Sequence, residues 1–205
     1  DILVREFTPL GTVSLALGEA RGRYLAEPLV ADRDIPATDR SAMDGYAVRA
    51  GDLATLPARL AVDGEVSAGS AEAPLVAAGR CVRIFTGASI PPGADTVVAV
   101  EQTSTGSFRA RPTDAVIEIT APIRPGANIF RRGENARAGD VLAPAGVRLG
   151  PRQIAIAATT GCATVVVHRC PRVRVLTTGE ELREAGEGAA AHLVRNSNGP
   201  LLVAA

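Results

Sequence analysis

The feature that most constrains this chain is its punctuation. From about residue 33 to residue 127 the apolar runs are short, "RLAVDG", "CVRIFTG", "ADTVVAVEQT", "SFRAR" and "AVIEI", and they are separated by glycine and proline. A helix needs roughly ten residues free of such breakers, whereas a strand needs only about four to eight. With turn signals at Pro92-Gly93 and Thr105-Gly106, the segment is expected to form a compact all-β unit.

The flanking segments carry other patterns. Near the start, Val13, Ala16, Leu17 and Ala20 recur at helical spacing, with Thr12 or Ser14 able to cap, and this predicts a short helix. In "GDVLAPAGVRLGPRQIAIAATTG" the pattern turns from extended to helical: Pro151 suits a first helical position, Ile154, Ala157 and Ala158 form one face, and Gly161 suits the C-terminal cap. The two helices are expected to pack together, which makes the β unit an insertion in an elongated first domain. "ATVVVHRCPRVRVLTTGEEL" reads as two strands, the second ending in the Thr-Thr-Gly turn that opens an α/β unit. "EAGEGAAA" reads as a surface loop, and "VRNSNGPLLVAA" as the capped start of a helix.

The expected fold is therefore a mixed α/β multidomain chain. Residues 1–32 and 128–168 form an elongated α+β first domain, 33–127 an inserted all-β domain, and 169–205 the truncated start of a doubly wound α/β domain. One strand and one helix start cannot bury a doubly wound sheet, so the sequence is read as part of a longer protein.

Composition removes several classes of function. Hydrophobic residues make up 46% of the 205, enough for one sizeable core or several smaller ones. The 22 basic residues balance 22 acidic ones, which leaves no footprint for broad nucleic-acid or membrane-surface binding. Every basic residue is Arg, so no lysine is available for Schiff-base chemistry. Three cysteines and no secretory apolar segment point to a reducing, cytoplasmic setting. Cys162, His168 and Cys170 match no common zinc spacing and read as structural. No GxGxxG, GxxxxGK[ST] or GxSxG occurs, which sets aside dinucleotide, P-loop and nucleophile-elbow chemistry.

Candidates for chemistry are few: Asp44 in "SAMDGY", Thr86 in "RIFTGA", Glu134 in "RRGEN", and Glu180 and Glu181 in "TTGEEL". Each stands within two residues of a glycine, so each is expected on a turn where backbone approaches a ligand closely. Taken singly they have plainer explanations. Asp44 could form a turn, Thr86 end a strand, Glu134 join a solvated cluster with Arg131 and Arg132, and Glu181 face a helix dipole.

Jointly they match a pattern. "DIPATDRSAMDGYAVR", "RIFTGASIPPGADTVVAVEQT", "NIFRRGENARAGDVLAPAGVRL" and "RVRVLTTGEEL" followed by "NSNGPLL" occur in the order found in molybdopterin molybdenumtransferases. The chain resembles this MoeA family, which includes the E-domain of gephyrin, over nearly its whole length, and corresponds to the N-terminal part of the family's polypeptide. The resemblance implies that residues 169–205 begin the pterin-binding domain. It also implies a reaction in which adenylylated molybdopterin and molybdate give molybdenum cofactor and AMP, with Mg²⁺. A homodimer is implied, its active site in a cleft between the β domain of one subunit and the pterin-binding domain of the other.

On the matched positions, Asp44, Thr86 and Glu181 acquire catalytic roles, with Asp44 and Glu181 as metal-facing carboxylates. Ser41, Arg131, Arg132, Glu134, Asn135, Thr178 and Gly179 acquire cofactor-binding roles. A pyrophosphate linkage with magnesium needs carboxylates for the hard cation and hydroxyl or amide donors for phosphoryl oxygens, and these residue types supply both. Other molybdenum cofactor biosynthesis proteins are implied as partners, and neither nucleic acid nor a membrane.

One position departs from the family. Its "RRGED" often carries aspartate where this chain has Asn135. An amide can ligate or hydrogen-bond, but it brings no negative charge. This keeps alive a paralogue that binds pterin without transferring metal. A scaffold that binds a partner peptide is the other alternative, disfavoured by a 3% aromatic content and the absence of Trp. Molybdate and tungstate are not distinguished.

Overall fold

A computed structural model describes residues 10–107, 116–188 and 190–205. The "SFRAR" segment lies almost wholly outside these residues.

The first element among the described residues is a strand where a helix was expected. β1 (Thr12–Ala16) turns Val13 and Leu15 inward and pairs antiparallel with β11 (Thr164–His168), Val13 opposite Val167. Helical spacing and strand alternation are both satisfied by these few apolar residues. β-branched Thr12 and Val13 and the Val-rich partner decide for the strand. Only a three-residue 3-10 turn, Leu17–Glu19, follows.

β2 (Leu29–Val30) pairs antiparallel with β10 (Val141–Ala143), and α1 (Pro151–Thr159) then packs against β10 and the 3-10 turn that stands where the expected N-terminal helix would end. Pro151 opens α1 as the sequence suggested, and Gly161 ends it at a φ of +77°. Ala157 is buried and Ile154 half-buried against the core, but Ala158, expected on the same face, is exposed. Ala20, Leu25, Leu29, Leu149, Val165 and Val167 complete this core.

Two short ribbons lead from this layer to the β unit. The Ile35 N–H donates to Ala136 O at 2.8 Å and the Gly133 N–H to Pro36 O at 3.0 Å. β3 (Arg40–Ser41) then pairs antiparallel with β9 (Ile129–Phe130). Between them runs a five-stranded sheet of β4 (Gly45–Val48), β5 (Ala58–Val66), β6 (Arg80–Ile84), β7 (Thr96–Ala99) and β8 (Val116–Ile119), in the spatial order β7-β4-β6-β5-β8. Only β5 and β6 are parallel.

Both faces of this sheet are buried: Tyr46, Val48, Cys81, Val98 and Ile117 on one side, Ala47, Val66, Val82, Ile84 and Val97 on the other. Hence its runs are continuously apolar, as strands covered on both faces are. The turns at Gly93 (φ +85°) and Gly106 (φ +60°) lie where the punctuation put them.

Beyond β11 the second expected strand, "RVRVL", is absent. Residues 171–179 are irregular, and Val173 and Leu176 are 80% and 82% exposed. A strand requires a hydrogen-bonded neighbour, and no described segment lies alongside. Instead β12 (Leu182–Arg183) pairs parallel with β13 (Val194–Arg195), and α2 (Asn198–Ala204) follows. Asn196 Oδ1 accepts the Gly199 N–H at 3.0 Å and so satisfies an end of α2. No helix among the described residues is long and apolar enough to cross a membrane.

Candidate functional site

The site is built where β3 hands over to β4. Buried Ser41 donates its hydroxyl to Met43 O at 2.6 Å and folds the chain into a tight turn. Gly45 then passes so close to β7 that a Cβ there would lie 2.0 Å from Val98 O. Only glycine lets β4 start there, and the preceding Asp44 is thereby left at the exposed end of the strand.

Asp44 Oδ1 accepts both the backbone N–H of Thr86, at 2.8 Å, and its hydroxyl, at 2.7 Å. The N–H and then the hydroxyl hold the Asp44 carboxyl below its ordinary value, helped by the charge of Arg83 and opposed by partial burial. Asp44 is thus held as a carboxylate at an exposed position, with both described hydrogen bonds on Oδ1 and none on Oδ2. Since the Thr86 proton is directed at Asp44, the threonine positions the carboxylate before it can donate to anything else. The Gly87 N–H donates to Ser41 O at 2.8 Å and the Ser41 N–H to Ala88 O at 2.9 Å, so two sequence-distant turns form one unit. Arg83 was missed in the sequence. It is 8% exposed, paired with Glu65 at 3.1 Å, and lies 5.1 Å over the Phe85 ring.

The "RRGEN" segment is a turn, as the glycine at its centre predicts. The Glu134 N–H donates to Arg131 O at 3.0 Å, and Glu134 Oε2 accepts the Arg131 N–H at 2.8 Å. Asp39 takes the Arg131 guanidinium at 2.7 Å and the Arg132 N–H at 2.8 Å, while Asp34 takes Arg132 Nε at 2.6 Å and the Ala138 N–H at 3.0 Å. These donors lower both carboxyls, Asp34 chiefly through the Ala138 N–H and Asp39 chiefly through that of Arg132. The charges of Arg131, Arg132 and Glu134 therefore fasten the loop, and the side chain left over is Asn135. It lines a cavity of about 190 Å³ together with Ile35, Pro36, Arg40, Phe130, Ser41 and Thr86. Arg40 and Phe130 carried no motif signal of their own.

Thr178 and Glu181 lie elsewhere, in a second cavity of about 280 Å³ that also has Thr177, Asn196 and Asn198 on its wall. Glu181 folds back over Gly179, with its carboxylate oxygens 2.7 Å from where a Cβ of that glycine would be. Asn196, 8% exposed, braces this cavity by donating to Thr177 Oγ1 at 2.9 Å and to Glu184 Oε1 at 3.2 Å. The two cavities share no residue. The structure thus brings Ser41, Asp44, Thr86 and Asn135 together, and keeps Thr178, Gly179 and Glu181 as a separate group.

Among the described residues no group of three His, Cys, Asp or Glu could hold a metal ion, and Cys162, His168 and Cys170 do not gather. Magnesium takes one or two protein carboxylates and fills its remaining positions with water and phosphate oxygens. Asp44 Oδ2 on one surface and Glu181 on the other suit that donor chemistry.

Residues 2–161 match the family model described as the MoeA N-terminal region, domain I and II. The molybdopterin molybdenumtransferase of Bacillus subtilis (strain 168) is 37% identical over 194 residues, covering 93% of this chain and 44% of the relative. That of Staphylococcus epidermidis (strain ATCC 12228 / FDA PCI 1200) is 35% identical over 208 residues, covering 98% and 48%. A crystal structure of the molybdopterin biosynthesis moeA protein from Pyrococcus horikoshii OT3 superposes with a TM-score of 0.83 at 33% identity, covering 95% of this chain and 51% of that one. The chain spans about half the length of the relatives it matches.

Proposed function

The chain belongs to the MoeA N-terminal family, and from that premise we propose that it supplies one wall of the active-site cleft of a molybdopterin molybdenumtransferase. The reaction is insertion of molybdate into adenylylated molybdopterin with release of AMP, in the cytoplasm. The observation that carries this proposal is the Asp44–Thr86 pair, an ionised carboxylate held by two donors at the open end of a rigid sheet beside a cavity.

Asp44 holds a negative charge at a fixed point and offers Oδ2 to a cation or a proton. Thr86 fixes the orientation of that carboxylate and keeps it ionised. Mg²⁺, when bound, would neutralise phosphoryl oxygens and polarise the linkage that breaks. Asp44 and Glu181 would hold it, and in this reading Glu181 comes from a second subunit of a homodimer, which is in keeping with the two residues standing at different cavities of one chain. In that arrangement residues 1–32 and 128–168 are the elongated first domain, 33–127 the inserted domain that holds the five-stranded sheet, and 169–205 open the pterin-binding domain.

The test is AMP release from adenylylated molybdopterin with molybdate and magnesium, by the protein that carries this chain. Asp44→Ala is expected to lower turnover at least tenfold while the melting temperature stays within a few degrees. Unchanged turnover would remove Asp44 from the reaction. An inert parent protein would favour the pterin-binding paralogue instead. The observation in favour of that alternative is the neutral Asn135 at the cavity, and Asn135→Asp would be the variant to restore activity.

A further inference from the structure

Arg83 is the one charged side chain buried among the described residues. We propose that it is a positioning residue for the reaction: held by Glu65 and stacked on Phe85, it anchors the Thr86 turn that fixes Asp44. The inference rests on the transferase reading and deepens it. Burying a guanidinium costs free energy that an apolar side chain would not. Arg83 shares its face of β6 with Cys81 and stands opposite Tyr46 of β4, both in the apolar core, so packing alone would be met by an apolar residue there.

The backbone of β5 is irregular where it meets Arg83. Val62 stands opposite Cys81, and an extra residue in β5 then shifts the register so that Glu65, and not Gly64, stands opposite Arg83. Gly64 takes a φ of +139° within this bulge. Glu65 Oε2 thereby comes to 3.1 Å from Arg83 Nη1. Two residues further along, the Arg83 guanidinium carbon lies 5.1 Å from the centre of the Phe85 ring. Phe85 is the residue before Thr86, and its N–H donates to Val66 O at 3.2 Å, which ties the start of the turn to β5. The Thr86 N–H and hydroxyl, both on Asp44 Oδ1, follow directly. Holding the Phe85 ring therefore holds the direction of both donors, and the Arg83 charge also favours the ionised form of Asp44. Lysine would keep that charge but lose the flat fork that stacks on a ring.

The experiment is hydrogen–deuterium exchange at residues 86–88 and in β7, together with AMP release, in the protein that carries this chain. In Arg83→Lys and in Phe85→Leu, exchange at the Thr86 turn is expected to rise about tenfold while β7 keeps its protection. In both, kcat should fall about tenfold with KM unchanged. Phe85→Tyr keeps a ring for the guanidinium and should retain both the protection and the turnover. If Arg83→Lys fails to fold, Glu65→Gln serves, since Glu65 is exposed, with changes in the same direction. Exchange at residues 86–88 indifferent to these variants would overturn the anchor, and so would an equal rise in β7, which is what loss of packing alone produces. AMP release separates the two levels. A parent protein that turns over, with kcat unmoved in a variant whose Thr86 turn has loosened, overturns the positioning role alone. A parent that releases no AMP, yet whose Thr86 turn loosens in Arg83→Lys, keeps Arg83 as the anchor of Asp44 and refutes the transferase reading.

Discussion

Gly45→Ala tests the backbone geometry on which the whole site stands. An added Cβ would lie 2.0 Å from Val98 O, 2.9 Å from Val98 C and 3.0 Å from the Ala99 Cα. The first distance is a full ångström inside the 3.0 Å that Cβ atoms essentially never breach. No flexible side chain can yield, because every atom met is backbone. β4 cannot slide away either, since it is paired with β7 on one side and β6 on the other. Relief therefore means parting β4 from β7, which strains the ladder and opens the packing of Tyr46 on Val98 and Val100. Overpacking of this kind costs about 3–5 kcal/mol, at the upper end of single substitutions. For a chain of this size that corresponds to a fall in Tm of roughly 6–20 °C. Thermal unfolding followed by circular dichroism is the assay. Gly51→Ala is the control, because Gly51 has open space around it and no left-handed backbone. A Gly45→Ala protein melting within 2 °C of the parent would refute the close approach and the placement of Asp44 that depends on it.

Asp44→Asn keeps the shape of the acceptor and removes its charge. Since the Asp44 carboxyl lies below its ordinary 3.8 in the folded chain, chiefly through the Thr86 N–H, its stabilising effect is complete above about pH 4 and is lost as pH falls through the folded value. The variant's urea midpoint should therefore fall less steeply between pH 5 and pH 3 than the parent's, and parallel curves would contradict the link to Thr86. Asp39→Ala removes the acceptor of Arg131 and Arg132. Because the pair is largely exposed, the stability loss should be at most about 1 kcal/mol, yet limited proteolysis should cut at residues 131–135 faster, and unchanged cleavage would show that the loop is fastened otherwise. Burial pushes the Cys81 thiol up to about 12, so a thiol reagent at pH 8 should label Cys170 and Cys162 in the native chain and Cys81 only in denaturant. Native labelling of Cys81 would mean that the sheet opens.

The all-β unit was legible because its signals are local. Glycine and proline set where strands end, and apolar runs without alternation mark a sheet covered on both faces, as at Val97, Val98 and Val82. Helix α1 was legible for the same reason, with Pro151 at its start and Gly161 at its end. The first strand was not, because Val13, Ala16, Leu17 and Ala20 fit a helical period while Val13, Leu15 and Leu17 fit strand alternation, and the choice rests on β11, about 150 residues away. Val173 and Leu176 mislead in the opposite sense, since strand composition without a hydrogen-bonded neighbour makes no strand.

The candidate residues divide the same way. Sequence alone determined which side chains are able to carry chemistry, since carboxylate, hydroxyl and amide are properties of residue type, and the glycines beside Asp44 and Thr86 mark backbone that must turn or approach closely. Tertiary structure alone decided what each one does. It set Thr86 to orient Asp44, engaged Arg131, Arg132 and Glu134 in fastening their own loop, and left Asn135 and Phe130 facing a cavity. The physical reason is that a hydrogen bond is formed between positions in space. Asp44 and Thr86 are 42 residues apart, and Asp39 and Arg132 are 93 apart, and no local pattern encodes which partner a donor will find.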